Sequence, residues 1–140
     1  MRAIMQNEAN TMLVIVRPIA QEVVDNWQSL LTLITQVNEI LKKLQIGAVK
    51  GEEVEGLQVL VATYRVRADK LNQKICVNID ELEALGCAIE NYTEGIVDFP
   101  SVLNGREVML CWKISDERVD YYHNKNETFK DRRVIEYGYL

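Results

Sequence analysis

The sequence predicts an α+β fold: a long antiparallel helical hairpin followed by a small antiparallel β-sheet, within a single domain spanning 1–140. Three observations predict it. Apolar residues recur at alternating steps of four and three from Val16 to Leu44. A second helical stretch follows from Glu52 to Leu85. From Cys87 that period gives way to short apolar runs separated by turn residues. The 48% hydrophobic and 26% charged composition of the 140 residues is that of a globular chain with material for one core.

In the first helix the stripe is Val16, Ala20, Val23, Trp27, Leu30, Ile34, Val37, Leu41 and Leu44, which has heptad, coiled-coil character. Ile19, Val24, Leu31, Leu33 and Ile40 widen it beyond what one neighbouring helix covers. Pro18 either opens this helix at its first turn or lies within a helix begun near Asn7. Gly47 is suited to a C-terminal cap, and residues 45–51 read as the connecting turn. The second helix starts at Glu52 and Glu53, whose charges suit an N-terminus, and stops at Gly86. Its stripe is less regular, with Arg67 and Asn78 intruding. The hairpin therefore occupies about 8–86, and the sheet and tail about 87–140. Because two helices alone leave apolar surface in water, the sequence predicts a homodimer paired through the helices as a four-helix bundle.

Beyond Cys87, residues 87–92 and 96–100 read as short strands around Gly95. Arg106 to Ile114 and Arg118 to Asn124 read as a hairpin across Ser115, Asp116 and Glu117. Pairing Ile114 with Val119 sets Trp112 opposite Tyr121, Leu110 opposite His123 and Lys113 against Asp120. Phe129, Tyr137, Tyr139 and Leu140 are then expected to dock on the sheet.

The net charge of −5 argues against a broad nucleic-acid surface or an anionic membrane surface. Between Arg118 and Arg133, five basic residues face Asp120, Glu127 and Asp131, which leaves room for a small anionic ligand. Cys76, Cys87 and Cys111 are odd in number and widely spaced, which points to reduced thiols and a cytoplasmic location. The apolar run at Met12–Val16 is too short for a signal peptide, and no membrane span is expected.

The elements Gly95-Ile-Val-Asp-Phe-Pro100 and Gly105-Arg-Glu-Val-Met-Leu-Cys-Trp112 resemble a family signature, that of domain of unknown function 2203. His123 stands at the family's histidine, with Tyr122 in place of the tryptophan before it. Phe129 and Arg132 match the family's tail, where Asp131 replaces a glycine and Val134 a proline. Glu8-Ala9-Asn10 and Val16-Arg17-Pro18 resemble its opening helix. The resemblance implies a helical hairpin with a small sheet and names no activity.

The chain contains no phosphate-binding glycine loop, nucleophile elbow or His-Glu-x-x-His. One histidine excludes a multi-histidine metal site within one chain, and no cofactor or metal set is predicted. The candidate ligand-binding residues are Asp98, Arg106, Trp112, Tyr122, His123 and Arg132. His123 can act as a proton donor, acceptor or ligand beside Asp98 or Cys111; the plainer reading is a strand histidine bonded to a carbonyl or carboxylate. Asp98, in an apolar run, can be reactive, or can accept backbone N–H bonds or pair with Arg106. Cys111 and Trp112 can form a thiolate pocket, or simply be core. Arg106, Arg132 and Arg133 can clamp an anion, or be solvated. The leading expectation is a non-enzymatic dimeric interaction or scaffold protein that offers its sheet to a protein partner or small ligand. The alternatives are a small enzyme or ligand- or metal-binding protein with a site around Asp98, Arg106 and His123, and a metal or haem held across a dimer by His123 and Cys111.

Overall fold

The structure is a computed structural model in which residues 2–136 are described. Two helices, α1 (Gln6–Gln45) and α2 (Glu52–Leu85), precede five strands: β1 (Ala88–Asn91), β2 (Ile96–Leu103), β3 (Arg106–Lys113), β4 (Tyr121–Asn124) and β5 (Arg133–Val134). The strands lie side by side in chain order, and every neighbouring pair is antiparallel. The fold is α+β with a helical hairpin, as the periodicities predict. The expected docking of Tyr137, Tyr139 and Leu140 lies outside the described residues.

Pro18 lies inside α1, so of the two alternatives the helix begun near Asn7 is the one adopted. A proline costs the helix one N–H bond. Here it falls on a solvent-facing side, where Val14 and Ile15 are also exposed. Gly47, Gly51 and Gly86 take positive φ at the predicted turn and cap positions. No helix among the described residues is long and apolar enough to cross a membrane.

The chain divides into two compact units, one formed by residues up to Val24 with those from Val77 onward, the other by Asp25–Cys76. In the first unit Ala9, Leu13, Val16, Ala20 and Val23 are buried at steps of four and three. The sheet face that meets them carries Val97, Phe99, Leu110 and Trp112, all fully buried. Full burial of each large side chain is worth about 1.5–3 kcal/mol, so this interface dominates the unit's stability. Polar bonds fix its alignment. Arg17 donates to the carbonyl of Ile114 at 2.9 Å and lies 4.9 Å from the Trp112 ring centre. Asn10 accepts from the backbone N–H of Val119 at 2.8 Å, and the Ile4 N–H donates to the Pro100 carbonyl at 2.7 Å.

The second unit is a helix–turn–helix in which Leu30, Ile40, Val61 and Ile75 are buried. Ile34 and Leu41, which continue the α1 stripe, remain 44% and 37% exposed.

One predicted register is corrected. β3 and β4 pair Met109 with His123 and Leu110 with Tyr122, one residue away from the expected Leu110–His123 pairing. The reason lies in the connection. Asp116 folds the turn back on Lys113, accepting its N–H at 3.0 Å, while α1 holds Val119 away from the ladder through Asn10 and Gln6. β4 thus begins only at Tyr121. The expected Lys113–Asp120 pair does not form: Lys113 meets Glu94 at 3.4 Å, and Asp120 meets Arg118 at 3.7 Å.

Candidate functional site

A slip of one residue turns a strand over, and here the slip creates the site. β2 and β3 are joined by Asn104-Gly105, both at positive φ, which closes the tight hairpin and sets Asp98 opposite Cys111. Met109, two residues from Cys111, points the same way, and His123 lies opposite Met109. Asp98, Cys111 and His123 therefore share the sheet face that points away from α1. Ligand-capable atoms of the three lie within 4.8 Å of one another.

The cluster is buried: Asp98 is 8% exposed, His123 2% and Cys111 0%. His123 Nε2 lies 3.1 Å from Asp98 Oδ2, and Nδ1 lies 2.8 Å from the Asn124 carbonyl. A carbonyl only accepts, so Nδ1 carries hydrogen and donates to it. Nε2 then faces the carboxylate with a positive centre required between them, since two lone pairs at that distance repel. Asp98 Oδ1 is buried and has no hydrogen-bond partner among the described residues. Burial pushes the Asp98 carboxyl upward, opposed by the His123 charge and by hydrogen bonds from Cys111 and His123. Burial, reinforced by the Asp98 charge, pushes the Cys111 thiol up to about 12.

Asp98 also lines a pocket of about 320 Å³, together with Glu90, Glu94, Glu127, Phe129 and Lys130. Of its glutamates, Glu94 pairs with Lys113 at 3.4 Å and Glu127 with Arg133 at 3.0 Å, which leaves Glu90 and Asp98 as the lining carboxylates without a Lys or Arg partner among the described residues and the rim mildly acidic. Glu90 occupies a bulge between Ile89 and Asn91, where the β1 register shifts, and bulges re-aim side chains. Its carboxyl is raised by burial and then by the Asp98 charge. The basic tail borders the cluster. The Arg132 guanidinium lies 4.0 Å from the Tyr121 ring centre and 4.2 Å from that of Phe129. It pairs with Asp116 at 2.7 Å.

Of the six predicted candidates, the structure joins Asp98 to His123 and places Arg132 at their border. Arg106 does not pair with Asp98; it sits exposed at the hairpin turn, opposite Leu103. Trp112 is core on the opposite face, donating its indole N–H to the Asp116 carbonyl at 3.0 Å. Tyr122 pairs with Leu110 on that same opposite face, its ring 5.6 Å from the Arg133 guanidinium. Cys111, read from the sequence as part of a thiolate pocket with Trp112 or as a ligand with His123 across a dimer, lies with Asp98 and His123 in one cluster within a single chain. Glu90 was not anticipated, because a bulge has no periodic signature.

The family described as uncharacterized conserved protein (DUF2203) matches residues 3–135, and the chain belongs to that family. No curated protein and no solved structure matches it.

Proposed function

We propose that this member of the DUF2203 family is a ligand-binding protein whose site is the Asp98–Cys111–His123 cluster and the acidic pocket above it. One observation carries the reading: a buried carboxylate oxygen, Asp98 Oδ1, without a partner, on a residue that lines a pocket. A buried acceptor left unmade costs about 1–3 kcal/mol, more when charged, so such a group is retained where something else satisfies it. The acidic rim favours a cationic ligand over the small anion that the basic tail suggests. Native mass spectrometry tests it. Freshly purified protein should carry a reproducible extra mass that the near-isosteric Asp98→Asn variant loses; the same bare mass for both chains would refute it.

A second reading rests on a separate observation. Leu31, Ile34 and Leu41 are exposed along one side of α1, and Val59 and Val66 along one side of α2. Exposed apolar rows on both helices of the Asp25–Cys76 unit support a homodimer through the helices, a four-helix bundle, and with it a scaffold role. Sedimentation at high micromolar concentration decides between a 16.1 kDa monomer, which ends this reading, and twice that mass. The three free thiols suit a reducing compartment, and we place the protein in the cytoplasm.

A further inference from the structure

Taking the ligand-binding reading as its premise, we infer that the ligand is a divalent transition-metal ion of the zinc class, held by Asp98, Cys111 Sγ and His123 Nε2. Four features of the cluster point to it. First, the donor set is one carboxylate, one thiol and one imidazole, the three protein ligands that zinc takes most often. Magnesium and calcium, which require all-oxygen shells, are a poor match.

Second, the spacing is close to what a single ion imposes. Tetrahedral zinc with bonds of about 2.0–2.3 Å places its ligand atoms roughly 3.3–3.6 Å apart. His123 Nε2 and Asp98 Oδ2 already stand 3.1 Å apart, and the whole set lies within 4.8 Å. Closing the remainder takes a side-chain adjustment of about 1 Å, within rotamer reach.

Third, the surroundings of the histidine are those of a metal ligand. Its Nδ1 hydrogen is donated to the Asn124 carbonyl, which fixes the ring and leaves Nε2 as the coordinating atom. The positive centre needed between Nε2 and Asp98 is either a proton or a metal ion. A proton would satisfy Oδ2 alone and leave Oδ1 orphaned, whereas a metal draws on the whole carboxylate.

Fourth, the charges close. Binding displaces two protons to solvent, that of the Cys111 thiol and the one that otherwise lies between His123 Nε2 and Asp98. One thiolate and one carboxylate then carry two negative charges, which a dication neutralises, so the loaded core bears no net charge. Asp98 opens on the pocket, which leaves the fourth coordination position to water or a further ligand. Glu94 and Glu127 are already paired with Lys113 and Arg133, so Glu90 is the rim carboxylate that adds to the field of Asp98 in drawing a cation in.

The test is a Co²⁺ titration of the full chain after chelator treatment. One equivalent should bind with visible bands of a tetrahedral site and a thiolate-to-cobalt charge-transfer band in the near ultraviolet. That band should vanish in Cys111→Ser and persist in Cys76→Ser and Cys87→Ser. Asp98→Asn and His123→Ala should each weaken binding by at least about 100-fold. X-ray absorption on the zinc-loaded wild type needs no variant to fold: it should report one sulfur with nitrogen and oxygen neighbours. No Co²⁺ uptake, a band that survives Cys111→Ser, or a zinc shell with no sulfur or several would overturn the inference. The two readings separate cleanly. Protein that refuses metal yet carries an organic adduct lost in Asp98→Asn keeps the ligand site and rejects the metal. Protein that carries neither rejects both.

Discussion

Removing His123 should leave Asp98 as a buried carboxylate without its imidazole partner, held only by the hydrogen bond from Cys111, and the cost can be bounded. Breaking a buried ion pair from one side costs about 3–5 kcal/mol. The carboxylate can escape by taking a proton, and that escape sets a ceiling. With an ordinary Asp98 value of 3.8, protonation at pH 7 spans 3.2 pH units, or about 4.4 kcal/mol at 1.36 kcal/mol per unit. At pH 5 the ceiling is about 1.6 kcal/mol on the same conversion. A carboxyl raised above its unfolded value contributes stability below that value and loses it as pH rises, so the penalty grows toward neutrality. Comparing His123→Ala with the double variant His123→Ala/Asp98→Asn isolates this effect, because neither chain has the imidazole. In urea denaturation with chelator present, the double variant should be the more stable at pH 7, by up to about 4 kcal/mol. Its advantage should shrink by up to about 2.7 kcal/mol on moving to pH 5. A difference that does not change with pH, or a double variant less stable than the single one at pH 7, would refute the placement of a buried, His123-dependent carboxylate.

Two further outcomes follow from the same packing. Thiol labelling of the native protein near pH 8 should modify exposed Cys76 quickly, while Cys87, pushed up to about 11 by burial, and Cys111, about 12, react only on unfolding; three fast thiols would contradict the packing of the sheet. Gly95→Ala should cost about 2–4 kcal/mol in thermal or urea unfolding, because φ is +68° and the new Cβ would stand 3.0 Å from Ile114 Cβ and 3.1 Å from Val24 Cγ2. Gly47→Ala shares the positive φ with nothing within 4 Å, so it should cost only about 1 kcal/mol, and equal losses would show that the close approach of helix and sheet at Gly95 is misplaced.

Much of the fold was legible because its signals are local. The α2 boundaries follow from glutamates at one end and Gly86 at the other, and the change of period at Cys87 marks the switch from helix to sheet. What the stripe of α1 could not convey is how its neighbours are shared out. Val16, Ala20 and Val23 are sealed under the sheet, whereas Ile34 and Leu41 repeat the same spacing and remain part-exposed. Periodicity says which side of a helix is apolar, and is silent on what covers it.

The site turned on register, and the sequence held one register signal and lacked the other. Asn104-Gly105 is the residue pair that a two-residue hairpin demands, and from it alone Asp98 falls opposite Cys111. The β3–β4 connection carries no such pair. Its geometry depends on bonds made from the distant Asn10 and Gln6 to Val119, contacts separated by more than a hundred residues. An alternation argument there favours gathering the large apolar groups, which sets His123 opposite Leu110 and onto the face packed by α1. Stability resists that arrangement, because it would drive the imidazole among Val97, Phe99 and Trp112 with no acceptor for its N–H. With Met109 opposite His123 instead, both ring nitrogens find oxygen atoms and the apolar face stays unbroken. The polar triad and the hydrophobic core are thus two outcomes of one register, so a substitution that frees Val119 from α1 should disturb the Asp98–His123 pair without touching either residue.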